Sequence, residues 1–281
     1  MESQTIEFEG SGSVRLIADA WGDPTANPIL FMHGGGQTRH SWGGAARLLA
    51  SKGWRTLSID LRGHGDSGWS PEGQYEAAHF VADINAVLSQ LDQTAVLVGA
   101  SLGGRTATFV VGNGAPDLCR ALILVDITPR IEAKGAERIL AFMNKNPKGF
   151  ATVEEAADAV AEYREYRSRP KDVSGLKKNL RLRDDGRWHW HWDPKFLDRQ
   201  HPHDEQASRE ISEAAAKIKI PTLLVRGGSS DVVSLENVKD FKRLVPHAEF
   251  VDVAEAGHMV AGDRNDAFTT GVVEFLGQTF G

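Results

Sequence analysis

The chain has 281 residues, enough for one large α/β domain or for one domain with an insertion. It is 41% hydrophobic and 25% charged, the balance of a globular protein, and its net charge of −6 with no long basic run argues against nucleic acid or an anionic membrane surface as partner. One cysteine, Cys119, excludes an internal disulfide and a cysteine-based zinc site, and its place before ALILVDI reads as a buried, inert thiol.

The N-terminal MESQTIEFEG has no basic start followed by an apolar run, so no signal peptide is expected. No stretch approaches the roughly 18 apolar residues of a membrane span, which makes a cytoplasmic protein with no membrane partner the expectation. VRLIADAW from Val14 and PILFMHG from Pro28 read as strands. SWGGAARLLASKG reads as a helix with Ser41 as N-cap and Gly53 as stop. RTLSID from Arg55 is a further strand. In YEAAHFVADINAVLSQLDQ, Phe80, Ile84, Val87, Leu88 and Leu91 share one helical face. AVLVGAS from Ala95 and ALILVDI from Ala121 continue the strands. After residue 207 come PTLLVRG from Pro221, EFVDVAEAG from Glu249 and a last helix starting near Asp263 or Asn265. Nearly unbroken apolar runs suit parallel strands covered on both faces, and the alternation predicts an α/β fold with a mostly parallel sheet.

The alternation fails between residues 130 and 207. IEAKGAERILAFMNKN, TVEEAADAVAEYREYRSR and DVSGLKKNLRLRDDG read as helices with no strands between them. The expected organisation is a core domain of 1–129 and 208–281 with a helical cap of 130–207.

Ligands of open α/β sheets sit at the carboxyl ends of strands, so the strand exits carry the chemistry. Ser101 leaves the apolar run VLVGAS between Gly99 and Gly103, the G-x-S-x-G pattern in a strand-to-helix setting. Small neighbours relieve crowding at such a bend, and the following helix aims its free N–H groups at the site. A serine hydroxyl needs a base. Of ten histidines, His258 alone follows a C-terminal strand and precedes the last helix. Asp231, in the loop after PTLLVRG, is the expected acid because a flexible Gly-Ser loop can carry it to the histidine; Asp126, at the end of ALILVDI, is the competing acid. Gly34, Gly35 and Gly36 follow a strand and admit close approach, so the Gly35 and Leu102 N–H groups are the expected oxyanion donors, each worth roughly 2.7–4 kcal/mol.

These residues carry a resemblance. His33-Gly34-Gly35-Gly36, DLRGHGDS from Asp60 to Ser67, Gly99-Ala100-Ser101-Leu102-Gly103, Asp231 in its post-strand loop and GHM with His258 are similar to the α/β-hydrolase superfamily over essentially the whole chain. The resemblance implies an eight-stranded, mostly parallel sheet with a cap, and a Ser–His–Asp hydrolase with no cofactor. Serine at position 101 disfavours the dehalogenase and epoxide-hydrolase chemistries of the superfamily, which use aspartate there. It assigns DLRGHGDS, with Arg62, His64 and Asp66, to organising the loop beside the oxyanion turn.

The expected reaction is acyl transfer to water from a small or medium ester or lactone with an apolar portion. C–C bond hydrolysis and cofactor-free perhydrolysis use the same residues and stay open, as does a small-molecule receptor built on the same fold. RWHWHWDP is the unusual stretch. If extended, Trp188, Trp190 and Trp192 share one face and, with Gly36, are candidates for the pocket wall or for gluing the cap to the core. No metal is expected, because the pairs His189/His191 and His201/His203 lack an accompanying acidic pattern. Partner expectations stop at a small ester-like substrate; the sequence sets no oligomeric state.

Overall fold

A computed structural model describes residues 2–114, 116–163, 172–198, 205–254, 256–258 and 265–281. In chain order, β1 (Gln4–Glu9), β2 (Arg15–Trp21) and β3 (Pro28–Met32) lead to α1 (Gly43–Ser51), β4 (Arg55–Ile59) and α2 (Ala77–Ser89). Then come β5 (Ala95–Ala100), α3 (Leu102–Phe109) and β6 (Cys119–Val125). The insertion follows: α4 (Ala133–Asn144), α5 (Val153–Tyr163), β7 (Leu180–Leu182), β8 (Trp188–Trp190) and α6 (Pro194–Leu197). The chain returns through α7 (Glu205–Ala215), β9 (Thr222–Gly227), α8 (Leu235–Leu244), β10 (Glu249–Val253) and α9 (Asn265–Phe280).

Eight strands form one sheet in the order β1-β2-β4-β3-β5-β6-β9-β10. β1, β2 and β4 pair antiparallel; the rest of the sheet is parallel. Strand alternation divides the core in two. Ile29, Phe31, Val96, Val98 and Val225 pack with Ala45 and Leu49 of α1 and with Phe268 and Val272 of α9. Leu30, Met32, Leu97, Leu122 and Leu224 share the other cluster with Ile84 of α2, Ala107 of α3 and Phe241 of α8, and this cluster runs on into Met143, Trp190 and Trp192 of the insertion. Both faces of the parallel strands are thereby covered, the reason their sequences are so uniformly apolar. Burial pushes the Cys119 thiol up to about 12, in keeping with an inert side chain.

Three details depart from the sequence reading. β1 is an edge strand in which only Phe8 is fully buried, so its apolar signal is faint. Ser41 does not cap α1: it lies in a 3₁₀ turn, Arg39–Trp42, that feeds the helix, and the cap position belongs to Trp42. Gly53 does end that region, with φ 91°. The insertion is not all helix, since Leu180–Leu182 and Trp188–Trp190 pair as an antiparallel hairpin. The turn between them explains it. Asp185 accepts the Arg187 N–H at 2.9 Å and Gly186 takes φ 74°, the chemistry of a reverse turn that the helical reading of LRLRDDG passed over. Asp263, His201 and His203 lie outside the described residues.

Candidate active site

β5 stops at Ala100 and α3 starts at Leu102, so the chain reverses at Ser101 alone. Ser101 has φ 45° and ψ −110°, a conformation costing a non-glycine residue on the order of 1–3 kcal/mol. Glycines make the bend possible. A Cβ on Gly99 would lie 2.5 Å from the Gly103 carbonyl, and one on Gly103 would run into the Met32 carbonyl. β3 therefore touches the start of α3, and Gly103 N–H donates to His33 O at 3.1 Å. The same closeness sets the Gly34–Gly36 turn against the serine: a Cβ on Gly34 would lie 3.3 Å from Ser101 Cβ.

His258 lies past β10, and its Nδ1 is 2.6 Å from Asp126 Oδ2. Asp126 follows β6 directly, is fully buried and has φ 49°. Its Oδ1 accepts Gly227 N–H at 2.9 Å, and its Oδ2 also accepts the Ser230 hydroxyl at 2.5 Å. Ser230 Oγ in turn accepts the Val232 and Val233 amides at 3.1 Å each, which leaves its own proton for the carboxylate. With Nδ1–H donated to Asp126, the His258 Nε2 keeps its lone pair.

Asp231 is not brought to His258. Its carboxylate is half-exposed and pairs with Arg138 of α4 at 2.9 Å, on the rim between the β9 loop and the insertion. The loop after β9 does reach the histidine–aspartate pair, but one residue earlier, with Ser230. The turn at 227–233 seats residue 230 inward and turns residue 231 outward. Periodicity carries no information about that choice.

Ser101, Leu102 and His258 line one cavity of about 1040 Å³ together with Gly34, Gly35 and Gly36. Phe142, Met143, Trp190, Trp192 and Phe196 roof it with apolar surface. Trp190 and Trp192 are stacked, with ring centroids 5.1 Å apart and planes 12° from parallel. Trp188 is outside the lining and pairs through its backbone with Phe150. Of the tryptophan stretch, then, two rings meet the cavity and the third belongs to the hairpin's outer edge.

The glycine turn is held by imidazoles. His33 Nδ1 lies 2.8 Å from Gly34 O, and its Nε2 accepts Leu61 N–H at 3.0 Å. His64 Nδ1 lies 3.0 Å from Arg62 O, and its Nε2 accepts Gly36 N–H at 3.1 Å. His191 Nε2 lies 3.2 Å from Gly36 O, and its Nδ1 accepts Gly65 N–H at 2.7 Å. Each ring thus gives one proton to a carbonyl and takes one from an amide, which only the neutral form can do. Since Gln37 Oε1 takes the Gly34 amide and His64 the Gly36 amide, the Gly35 N–H is the amide of this turn that these neighbours do not engage. His189 goes elsewhere, to Asp185 at 2.8 Å, so His189 and His191 do not converge on a common ligand. The other polar residues of DLRGHGDS brace the same region: Arg62 is bidentate to Asp83 at 2.6 Å, and Asp66 binds Arg39 and Arg181.

Burial holds His33 down to about 4 and His64 to about 3, and holds His191 well below the usual imidazole range. The charged groups facing them are Arg39 for His33, Asp60 and Asp193 for His64, and Arg181 for His191. The unfolded chain protonates these rings near pH ~6.5 and the folded one does not. Stability is therefore complete above pH ~6.5 and is lost as the pH falls from there toward 4, because the unfolded state then binds the extra protons. Thermal melts between pH 7.5 and 4.5 are expected to show Tm falling steadily below about 6.5; a Tm flat down to pH 5 would contradict neutral rings.

Comparison with known proteins gives the family of the fold. The model of the alpha/beta hydrolase fold matches residues 27–264. The chain is 31% identical over 275 residues to Esterase Rv0045c of Mycobacterium tuberculosis, covering 92% of this chain and 85% of that protein. It is 30% identical over 266 residues to the mouse (Mus musculus) sn-1-specific diacylglycerol lipase ABHD11, covering 91% and 82%. Among solved structures, E-2-(acetamidomethylene)succinate hydrolase superposes with a TM-score of 0.85 at 25% identity, over 98% of this chain and 100% of that one. Among the described residues, no helix is long and apolar enough to cross a membrane.

Proposed function

The chain belongs to the alpha/beta hydrolase fold family, and from that premise we propose that it is a carboxylic ester hydrolase acting through Ser101 as nucleophile, His258 as general base and Asp126 as the acid that orients the histidine. The observation that carries this reading is the 2.6 Å contact of His258 Nδ1 with the buried Asp126, on the wall of the cavity that also holds Ser101. Nδ1–H bound to Asp126 leaves the Nε2 lone pair to take the Ser101 proton as Oγ attacks the ester carbonyl. Asp126 then stabilises the imidazolium, and the imidazolium returns its proton to the leaving alcohol. The Gly35 and Leu102 N–H groups bind the oxyanion, Leu102 from the start of α3 and Gly35 from the turn braced by three rings. Water deprotonated by His258 releases the acid and restores Ser101.

The cavity, at about 1040 Å³, is at the upper end for small-molecule sites. Its apolar roof suits an ester with an extended or ring-bearing apolar acyl group, in line with the esterase and lipase names of the relatives. We treat 130–207 as a cap that supplies this roof. The test is exposure of folded protein to a fluorophosphonate, with Ser101→Ala beside it. A mass shift confined to the wild type is the expected result. Folded wild type that takes no label, or label on another residue, would overturn the mechanism.

A further inference from the structure

The Gly34–Gly36 turn has no side chain with which to fix itself, and three consecutive glycines have the widest backbone freedom of any tripeptide. Apart from the turn bond of Gln37 N–H to Gly34 O at 3.1 Å and the Gln37 side chain on the Gly34 amide, its conformation is imposed from outside. His33 holds the Gly34 carbonyl, His64 the Gly36 amide and His191 the Gly36 carbonyl. Three rings thus grip three successive peptides, and their far nitrogens are anchored to one loop, at Leu61, Arg62 and Gly65. The rings also touch, with centroids 5.1 Å apart for His33–His64 and 5.7 Å for His64–His191.

His191 differs from the other two in origin. It stands in the insertion, between Trp190 and Trp192, the two stacked rings of the cavity roof. The same segment covers the Cα face of Gly36: a Cβ there would lie 3.0 Å from Met143 Cε and 3.4 Å from Trp192 Cζ3. Gly36 has φ 74° and is therefore held on its carbonyl and on its open face by the roof of the pocket. The Gly36–Gln37 peptide carries this grip to the oxyanion donor: its Gln37 N–H donates to Gly34 O at 3.1 Å, and Gly34 O is the carbonyl of the peptide that bears the Gly35 N–H. Without His191 the Gly36–Gln37 peptide is held by the Gln37 bond alone, and the aim of the Gly35 N–H loosens with it.

We propose that His191 is a positioning residue that ties the aromatic roof to the oxyanion turn, holding the Gly35 N–H on its target through the bond from Nε2 to the Gly36 carbonyl. This rests on the reading of Ser101 as nucleophile and of Gly35 as oxyanion donor. It makes the insertion part of the apparatus that sets the rate, in addition to a wall for the acyl group.

The test uses the geometry of amide side chains. Glutamine at 191 puts an N–H near the position of imidazole Nε2 and can still donate to Gly36 O. Asparagine puts its amide near Nδ1 and can serve only Gly65. With a short acyl p-nitrophenyl ester, which scarcely uses the roof, His191→Gln is expected to keep kcat within about threefold of wild type. His191→Asn is expected to lose about ten- to a hundredfold in kcat, a fraction of what deleting an oxyanion donor costs, with KM changed less than about threefold. The rate of Ser101 phosphonylation should fall in parallel. An asparagine variant with wild-type kcat, equal losses in the two variants, or an asparagine variant that does not fold would each overturn the proposal, the last two by assigning His191 to folding. Failure of wild type to label at Ser101 would instead sink the mechanism itself, so the two failures are told apart.

Discussion

Ser101→Ala is expected to remove turnover, with kcat down by about 10⁶-fold, the scale seen when a serine hydrolase loses its nucleophile. The variant should still fold and bind ester, because the bend is made by Gly99, Gly103 and the β3–α3 contact and not by the hydroxyl. Its backbone remains at φ 45°, a poor conformation for alanine. Ser101→Gly accepts that φ without strain and should therefore be both inactive and more stable, by about 1 kcal/mol. A denaturant titration of the three proteins beside initial rates on one ester checks both halves. Retained turnover in Ser101→Ala would remove the nucleophile from the scheme, and a glycine variant less stable than wild type would remove the strain argument.

The second large effect separates the two candidate acids. Asp126→Asn should lower kcat by about 10⁴-fold with little change in KM, since an amide facing Nδ1 favours the wrong tautomer of His258 and cannot stabilise the imidazolium. Asp231→Asn should stay within about twofold, because it gives up only a half-exposed pair with Arg138, a class worth ~0–1 kcal/mol. Ser230→Ala belongs between them. Asp126 would keep Gly227 N–H and His258 but lose its shortest donor, for a loss of about tenfold in kcat. Parallel kinetics of the three variants decide the matter: a larger loss at Asp231 than at Asp126 would return the acid to the β9 loop.

Much of the architecture was legible in the chain because it depends on local signals. The runs PILFM, AVLVGA and PTLLVRG name strands buried on both faces, and Gly99-Ala100-Ser101-Leu102-Gly103 names a tight strand-to-helix turn, since only glycine fits on either side of it. His258 followed from being the one histidine placed after the last strand. What could not be read was the direction in which a loop residue points. Asp231 and Ser230 are neighbours in a flexible-looking stretch, and two amides, Val232 and Val233, decide which of them turns inward. Asp126 lay at a strand exit in plain view, but its claim rests on Gly227, Ser230 and His258 converging from about a hundred or more residues away. The hairpin in the insertion was hidden for a related reason, because three-residue strands offer too short a period to outweigh a helical composition.

The sequence by itself determined the sheet, the tight bend at Ser101, the place of His258 after the last strand and the glycine turn, because each is encoded by residues adjacent in the chain under steric rules of the backbone. Only the tertiary structure decided which carboxylate meets His258, which two tryptophans reach the cavity and which three imidazoles brace the turn. Those depend on hydrogen bonds between segments remote in sequence, whose partners are chosen by packing and not by pattern.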